Sequence, residues 1–166
     1  AALLRVKMGH YDHFSRARQA NAAYYLERLS ALDEVESASP AHCCCAKAQQ
    51  EALGAARVVL PARYGHNEHI WNQFTLRIMG SGQRDLLRAH LTEREIGSEV
   101  YYPLTMDQQQ CFAGLPASSR EGNEVAHQLA GEVLSIPVYP ELGREMQDYV
   151  VTAISDFLEK EPPMRE

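Results

Sequence analysis

The chain has 166 residues, of which 45% are hydrophobic and 23% are charged, so we expect one domain with a single core. Its net charge of −6 argues against nucleic acid and anionic membrane as main partners, because both bind basic surfaces. No apolar run approaches the roughly 20 residues that span a bilayer, and the four cysteines lack the spacing of a secreted disulfide scaffold, which favours the cytoplasm.

Residues 1–32 are predicted to form one long helix. Apolar side chains recur at helical spacing from Leu4 through Met8 and beyond, and Gly9 inside this pattern predicts a kink, because glycine costs a helix about 1 kcal/mol relative to alanine. No Ser, Thr, Asp or Asn caps the start of the run. The sequence therefore favours a helix that begins upstream, in a larger protein, and a trimmed or frayed N-terminus is the alternative.

Residues 33–56 are small, polar and weakly patterned, and they predict a surface excursion with one helical turn from Ala46 to Leu53. The apolar run Val58 to Leu60 predicts a short strand that Pro61 stops, within an irregular excursion over residues 33–66. The segment 69–79, HIWNQFTLRIM, is the clearest strand. Because side chains alternate along a strand, one face carries Ile70, Asn72, Phe74, Leu76 and Ile78. The opposite, more polar face carries Trp71, Gln73, Thr75 and Arg77.

The remaining elements complete an α+β core over residues 67–160, followed by a frayed tail over 161–166. They are, in chain order, a helix over 83–95, a strand over 98–104, a helix from Asn123 through Val133, an extended segment over 135–142 and a final helix through Phe157. No repeated βαβ unit is present. The pattern predicts a small, mostly antiparallel sheet of about three strands with helices packed on one face.

Asn72 breaks the apolar face of its strand and is a candidate site residue. A buried amide without partners costs about 1–3 kcal/mol, so Asn72 either bonds to local backbone or points into a polar cavity. Two tyrosines, Tyr101 and Tyr102, stand just before Pro103, which ends a central strand because it has no N–H to donate. The polar run 107–110 then follows.

Three segments resemble the C-terminal domain of the DegT/DnrJ/EryC1/StrS aminotransferases. They contain the motifs N-Q-F-T-L-R, G-S-E-V-Y-Y-P and L-S-I-P-V-Y-P, in the family's order, between His69 and Phe157. The first helix resembles the family's helix that leaves the large domain, whereas residues 33–66 match poorly. The resemblance implies that residues 1–166 form a single small C-terminal domain, as in pyridoxal phosphate (PLP) enzymes of fold type I.

The resemblance also implies a function and its missing parts. The family moves an amine from an amino acid, usually glutamate, to a keto sugar linked to a nucleotide, and its members act as homodimers. An N-terminal domain supplies the Schiff-base lysine and most PLP contacts. The lysines here, Lys7, Lys47 and Lys160, do not occupy settings that make a lysine nucleophilic. We therefore expect no catalytic, cofactor-binding or metal-binding residue on this chain, which alone is inactive.

The resemblance implies that this domain forms the substrate side of the active-site pocket. Tyr101 and Tyr102 stand where the family has aromatic or imidazole residues, and Gln109 matches a family glutamine. Phenols suit a sugar because they offer an apolar face and a hydroxyl. Arg77 could clamp a carboxylate or phosphate, or form a salt bridge instead.

The loop after the tyrosines departs from the family pattern. Asp107 replaces a common histidine, Thr105 a proline and Gln108 a leucine. An anionic Asp107 would repel a diphosphate, so either this loop avoids the phosphates or the substrate binds differently. These departures favour the alternative function, a free-standing ligand-binding or oligomerisation module that kept the fold without catalysis.

Overall fold

The computed structural model describes residues 1–38, 55–112 and 122–160. The helices in these ranges are α1 Ala2–Met8, α2 Tyr11–Leu29, α3 Gln83–Glu93, α4 Glu124–Glu132 and α5 Arg144–Lys160. The strands are β1 Val35–Ser37, β2 Val58–Leu60, β3 Phe74–Ile78 and β4 Val133–Ile136. Two short 3-10 turns cover Met106–Gln108 and Gln110–Phe112. The helical turn expected within 46–53, Lys47, the cysteines at 43–45 and the tail 161–166 lie outside the described residues.

The strands form one sheet in the order β1-β2-β3-β4. β1 is parallel to β2, and the other two pairs are antiparallel, which confirms the predicted α+β class with a mostly antiparallel sheet. The described part of the sheet has four strands rather than about three. The additional strand, β1, lies in the segment that was predicted to be irregular, because its single buried residue, Val35, gives no readable alternation.

The core forms on the apolar face of β3. Phe74, Leu76 and Ile78 are buried as the alternation predicted. The register places Ile136 opposite Phe74 and Leu134 opposite Leu76, so β4 extends the same apolar face. Helices α2, α3 and α5 cover this face with a set of buried apolar side chains: Ala22, Tyr25, Leu29, Leu87, Leu91, Val150, Val151, Ala153, Ile154 and Phe157.

The predicted strand over residues 69–79 was wrong at its N-terminal end. Regular pairing starts at Phe74, and Ile70 is 49% exposed instead of joining the core. Trp71 interrupts the alternation with a φ of 50°, in the left-handed region. Its N–H donates to His69 Nδ1 at 2.9 Å, and its ring stacks on Phe74 with centroids 5.4 Å apart. Trp71 is therefore buried, although alternation placed it on the polar face.

The strand expected over 98–104 was also wrong, because only Glu99 pairs. Its N–H and carbonyl bond to the carbonyl and N–H of Ser135, each at 2.9 Å, as an isolated antiparallel bridge on β4. The segment then leaves the sheet before Pro103, which cannot donate to a ladder. Tyr101 and Tyr102 follow this single bridge as exposed side chains.

The helix expected to run through Val133 ends at Glu132 instead. Val133 is extended, with φ −88° and ψ 139°, and it begins β4 directly. Arg84 of α3 stabilises this junction, since its Nη1 donates to the carbonyls of Ala130 at 3.2 Å and Val133 at 3.3 Å. A buried arginine about 50 residues away thus satisfies carbonyls that the helix end leaves free.

The N-terminal helix is interrupted at Gly9 and His10, where the glycine predicted a kink. The face of α1 that carries Leu3, Leu4, Val6 and Met8 is unpartnered among the described residues, since all four side chains are more than 60% exposed. Across the described ranges, no helix has the length and apolar character needed to cross a bilayer.

The Tyr25–Phe74 contact yields a paired stability prediction. The two rings lie 5.3 Å apart, both fully buried, and burial raises the pKa of Tyr25 far above its usual value. Its hydroxyl has no hydrogen-bond partner among the described residues. We expect Phe74→Ala to lower the free energy of unfolding by about 3–5 kcal/mol because it leaves a cavity. Tyr25→Phe should leave it unchanged or raise it, because an unpaired hydroxyl is removed.

Urea unfolding followed by far-UV circular dichroism compares the two variants with the unmodified chain. A loss of stability in Tyr25→Phe comparable to that in Phe74→Ala would show that the hydroxyl has a partner and would contradict this description of the core.

Candidate functional site

A cavity of about 410 Å³ lies where α2, the approach to β3, the segment 97–101 and the end of β4 meet. It brings together two predicted site residues, Asn72 and Tyr101, which are separated by the whole of β3 and α3. The other lining residues are Arg18, Gln73, Gly97, Ser98, Glu99, Ser135, Ile136, Pro137, Val138 and Tyr139. Its wall is mixed, with phenol, amide, hydroxyl and guanidinium groups beside apolar side chains.

The backbone around the cavity is fixed by specific hydrogen bonds. The bridge from Glu99 to Ser135 holds the segment that carries Tyr101, and Glu99 Oε1 accepts the N–H of Val100 at 3.1 Å. Asn72 follows the left-handed Trp71, and its exposed amide has no hydrogen-bond partner in the part of the chain that the structure describes. Asn72 lines the cavity, but it lies before β3 and is exposed, so the expectation of a buried amide on the apolar face of the strand was wrong.

The other three predicted site residues do not line this cavity. Tyr102 is 73% exposed and is not among the residues that line the cavity. The side chain of Gln109 contacts only its own loop, through Met106 Sδ at 3.7 Å and Cys111 Sγ at 3.8 Å. Arg77 donates through Nε to Glu132 at 2.6 Å, so its guanidinium is already paired in a largely buried ion pair.

The residues that depart from the family pattern bond to one another and order their own loop. Thr105 and Gln108 form a capping box around the first 3-10 turn. Thr105 Oγ1 also donates to Asp107 Oδ1 at 2.6 Å, and the other carboxylate oxygen lies 2.6 Å from His127 Nε2 on α4. The Thr105 bond, with a smaller contribution from His127, lowers the pKa of Asp107 against the opposing effect of desolvation.

Arg18, Ser98 and Tyr139 line the cavity but were not predicted from the sequence. In the sequence, Arg18 is one of several polar residues on a helix. The one indication of its position is Asn21, a second polar residue one helical turn later. The Nδ2 of Asn21 donates to the Tyr139 carbonyl at 2.8 Å, which connects α2 to the segment after β4. Polar side chains at 18 and 21 on an otherwise apolar helix face were the available signal.

A second cavity, of about 470 Å³, lies between α2 and the loop 62–69. Gln19 closes one side by donating to Glu68 Oε1 at 3.3 Å and to the His69 carbonyl at 3.1 Å. His66 also lines it, yet no cluster of three or more metal-ligating side chains occurs in residues 1–38, 55–112 and 122–160. We assign no ligand to this cavity.

The described lysines do not fit a covalent PLP site. Lys7 lies in the last turn of α1 and Lys160 is the last residue of α5, and both are exposed outside the two cavities. A Schiff-base lysine needs a setting that lowers its pKa, through desolvation or a neighbouring cation. No step of a reaction is therefore assigned to a cofactor held by these residues.

Comparison with known proteins gives one family. The model of the DegT/DnrJ/EryC1/StrS aminotransferase family matches residues 1–155. The "Pleiotropic regulatory protein" of Geobacillus stearothermophilus is 35% identical over 157 residues, which is 95% of this chain and 36% of that protein. The dTDP-3-amino-3,4,6-trideoxy-alpha-D-glucose transaminase of Streptomyces venezuelae is 29% identical over 161 residues, 96% of this chain and 35% of that protein.

Solved structures give the same result. The crystal structure of S. venezuelae DesV in complex with a ketimine intermediate superimposes with a TM-score of 0.75 at 27% identity, over 97% of this chain and 36% of DesV. An aminotransferase of the same family from Brucella abortus gives a TM-score of 0.72 at 23% identity, over 96% of this chain and 35% of its own, which supports the fold. The chain thus spans about a third of the length of these relatives.

The bond between Asp107 and His127 predicts that the loop 105–112 is attached to α4. We expect Asp107→Asn to speed backbone hydrogen–deuterium exchange over residues 105–112, because the neutral amide loses the charge-assisted bond that attaches the loop to α4. Asp156→Asn is the matched control, since it removes the same charge from an ion pair with Arg94 on another part of the surface. Equal exchange in both variants would contradict the attachment.

The lowered pKa of Asp107 also fixes a pH dependence. A carboxyl group whose pKa is lower in the folded state stabilises that state above its unfolded pKa, which is about 3.9 for aspartate. This stabilisation is lost as the pH falls through the lowered folded value. The difference in Tm between wild type and Asp107→Asn should therefore shrink as the pH falls below about 4. A difference that is the same at about pH 5 and about pH 3 would contradict the assignment.

Proposed function

Because this chain belongs to the DegT/DnrJ/EryC1/StrS aminotransferase family, we propose that it is the C-terminal, substrate-side part of a PLP-dependent sugar aminotransferase. The whole protein moves an amine from an amino acid, glutamate by family resemblance, to a keto group on a nucleotide-linked sugar. It acts in the cytoplasm as a homodimer. PLP, when bound, supplies the electron sink, and residues outside this chain hold it.

The cavity that joins Asn72 to Tyr101 is the observation that carries this proposal. A sugar presents hydroxyl groups along its edge and C–H groups on its faces. The Tyr101 ring packs on the C–H face while its hydroxyl bonds to a ring substituent. The unpaired amide of Asn72 can both donate and accept. Curated relatives carry names of enzymes acting on dTDP-linked and UDP-linked amino sugars, so dTDP and UDP are suitable probes.

The unpartnered face of α1 supports the view that this chain belongs to a larger assembly. Its exposed apolar side chains are of the kind that pack against another domain or subunit. We propose that this face docks on the PLP-binding domain of the whole protein. The cavity then opens toward that domain, and Asn72 and Tyr101 orient the sugar while the surrounding walls exclude water.

The free-standing binding module remains the second candidate because the bonds around Asp107 order the loop without any ligand. Such a module needs neither a lysine nor a second domain. The coding sequence upstream of Ala1 separates the two candidates. An in-frame large domain with a candidate Schiff-base lysine supports the enzyme, and a stop codon followed by a start site supports the module.

Adjacent tyrosines give a matched test of the cavity. In the full-length protein, we expect Tyr101→Phe and Asn72→Ala each to weaken binding of the nucleotide-sugar substrate by about 2- to 10-fold, the effect of losing one hydrogen bond. Tyr102→Phe removes the same atom from a residue outside the cavity and should leave binding unchanged. Steady-state KM and isothermal titration measure the effect, with Tm as the check on folding.

Two outcomes would remove the cavity from the proposal. Unchanged kinetics in both cavity variants is one, and an equal loss in Tyr102→Phe is the other. A fall in Tm without a change in KM would assign Tyr101 and Asn72 to packing.

Cofactor binding separates the chain from the whole protein. We expect the isolated 166-residue chain to keep no stoichiometric lysine adduct with PLP when free PLP is removed before borohydride reduction, because its described lysines are exposed at helix ends and hold PLP only as a weak, reversible imine. The full-length protein should form one adduct per subunit. Intact-mass and peptide mass spectrometry measure both. A specific adduct on Lys7, Lys47 or Lys160 would contradict the proposal that residues outside this chain hold PLP.

A further inference from the structure

Arg18 differs from every other arginine in the described residues that is not exposed to solvent. Four of the five such arginines have a carboxylate partner within 3.2 Å: Arg57 with Glu34, Arg77 with Glu132, Arg84 with Asp85 and Arg94 with Asp156. Arg18 is partly buried, its Nε is fully covered, and that Nε has no partner in the described chain. A guanidinium that is partly withdrawn from water and has no carboxylate partner can accept an anion, so this position suits an oxyanion ligand.

The fold holds Arg18 in place at the cavity. Asn21, one helical turn later, donates to the Tyr139 carbonyl at 2.8 Å, and Gln147 of α5 donates to the Asn21 carbonyl at 2.9 Å. This part of α2 is therefore attached to both the segment after β4 and the last helix. Arg18 lies one turn before Asn21 on α2 and, like Tyr139, lines the cavity that contains Asn72 and Tyr101.

Ser98 supplies a second unpaired polar atom in the same cavity. Its Oγ is fully covered and has no partner among the residues described. The backbone on both sides is fixed, because Ile96 N–H donates to the Leu91 carbonyl at 2.9 Å and Glu99 bridges Ser135. A serine hydroxyl without a partner can donate to an oxyanion that enters this cavity.

Glu99 is the anionic group that also lines the cavity. Its carboxylate is exposed to water and accepts the N–H of Val100 at 3.1 Å rather than pairing with Arg18. Solvent screens its charge more effectively than that of a covered group. Glu99 therefore weakens anion binding without neutralising the guanidinium.

We infer that Arg18 and Ser98 form a subsite for an oxyanion group of the substrate, either a phosphate of the nucleotide or the carboxylate of the amino donor. The inference rests on the proposed function and adds a charged anchor to the Asn72–Tyr101 cavity. Arginine provides five N–H donors in a planar fork, which matches the two oxygens of either group. A phosphate would place the nucleotide sugar at Arg18, whereas a carboxylate would place the amino donor there. The experiment distinguishes these two ligands.

The test compares Arg18→Gln, Arg18→Lys and Ser98→Ala in the full-length protein. Arg16→Gln is the matched control, since Arg16 is an exposed arginine two residues earlier on the same helix. Isothermal titration with dTDP and with UDP needs no turnover. Single-turnover release of 2-oxoglutarate from glutamate reports the amino-donor arm. We expect Arg18→Gln to weaken one arm by about 10- to 100-fold, as for a lost charged hydrogen bond, and Arg16→Gln to have no effect.

The conservative variants sharpen this result. Arg18→Lys should retain part of the affinity, because the charge remains without the fork, and Ser98→Ala should lose less than Arg18→Gln. The affinity of Arg18→Gln should also depend less on salt concentration than that of wild type. Loss of the nucleotide arm alone identifies a phosphate, and loss of the glutamate arm alone identifies the carboxylate.

The inference fails if both arms are unchanged in Arg18→Gln with a wild-type Tm. It also fails if neither Arg18 variant folds, because Arg18 then pairs with a structural carboxylate elsewhere in the protein. A wild-type protein that binds dTDP or UDP through Arg18 but never releases 2-oxoglutarate would sink the proposed aminotransferase function and leave the anion subsite standing.

Discussion

The antiparallel pairing of β3 with β4 is the interaction on which both the core and the cavity depend. It places Leu76 opposite Leu134 on the buried face and Thr75 opposite Ser135 on the other, where their hydroxyl oxygens lie 2.8 Å apart. Ser135 then uses its backbone to hold Glu99, and with it the segment that carries Tyr101. A slip of one residue would exchange the two faces of β4, so this register determines both burial and the position of the tyrosine.

Charge pairing organises what surrounds the sheet. Arg84 satisfies the carbonyls where α4 becomes β4, and Arg57 donates to both Glu34 and the Leu158 carbonyl, which connects β2 to α5. Partly buried guanidinium groups need such partners, because desolvation is expensive for an unpaired ion. Arg18 is the exception, and its location in a cavity with other unpaired polar groups connects a stability argument to a binding argument.

The loop that follows the tyrosines is organised by its own residues. The three positions that depart from the family pattern, Thr105, Asp107 and Gln108, bond to one another, and Asp107 also bonds to His127. From the sequence alone, these departures left two possibilities, a loop that avoids the phosphates or a different mode of substrate binding. In the structure these residues have a local role. The imidazole of His127 on α4 bonds to the carboxylate of Asp107, the residue that stands where the family commonly has a histidine.

The sequence by itself determined the features in which the secondary structure or burial of a residue depends on its near neighbours in the chain. Alternation predicted the buried face of β3, and helical spacing predicted α3 and α5. Only the tertiary structure decided β1, the early end of α4, the burial of Trp71 and the position of Arg18 at the cavity. Each of these depends on a partner far along the chain, as when Asn21 bonds to Tyr139, 118 residues away. Periodicity is a local property, whereas strand pairing and the closure of a cavity depend on contacts that no local pattern records.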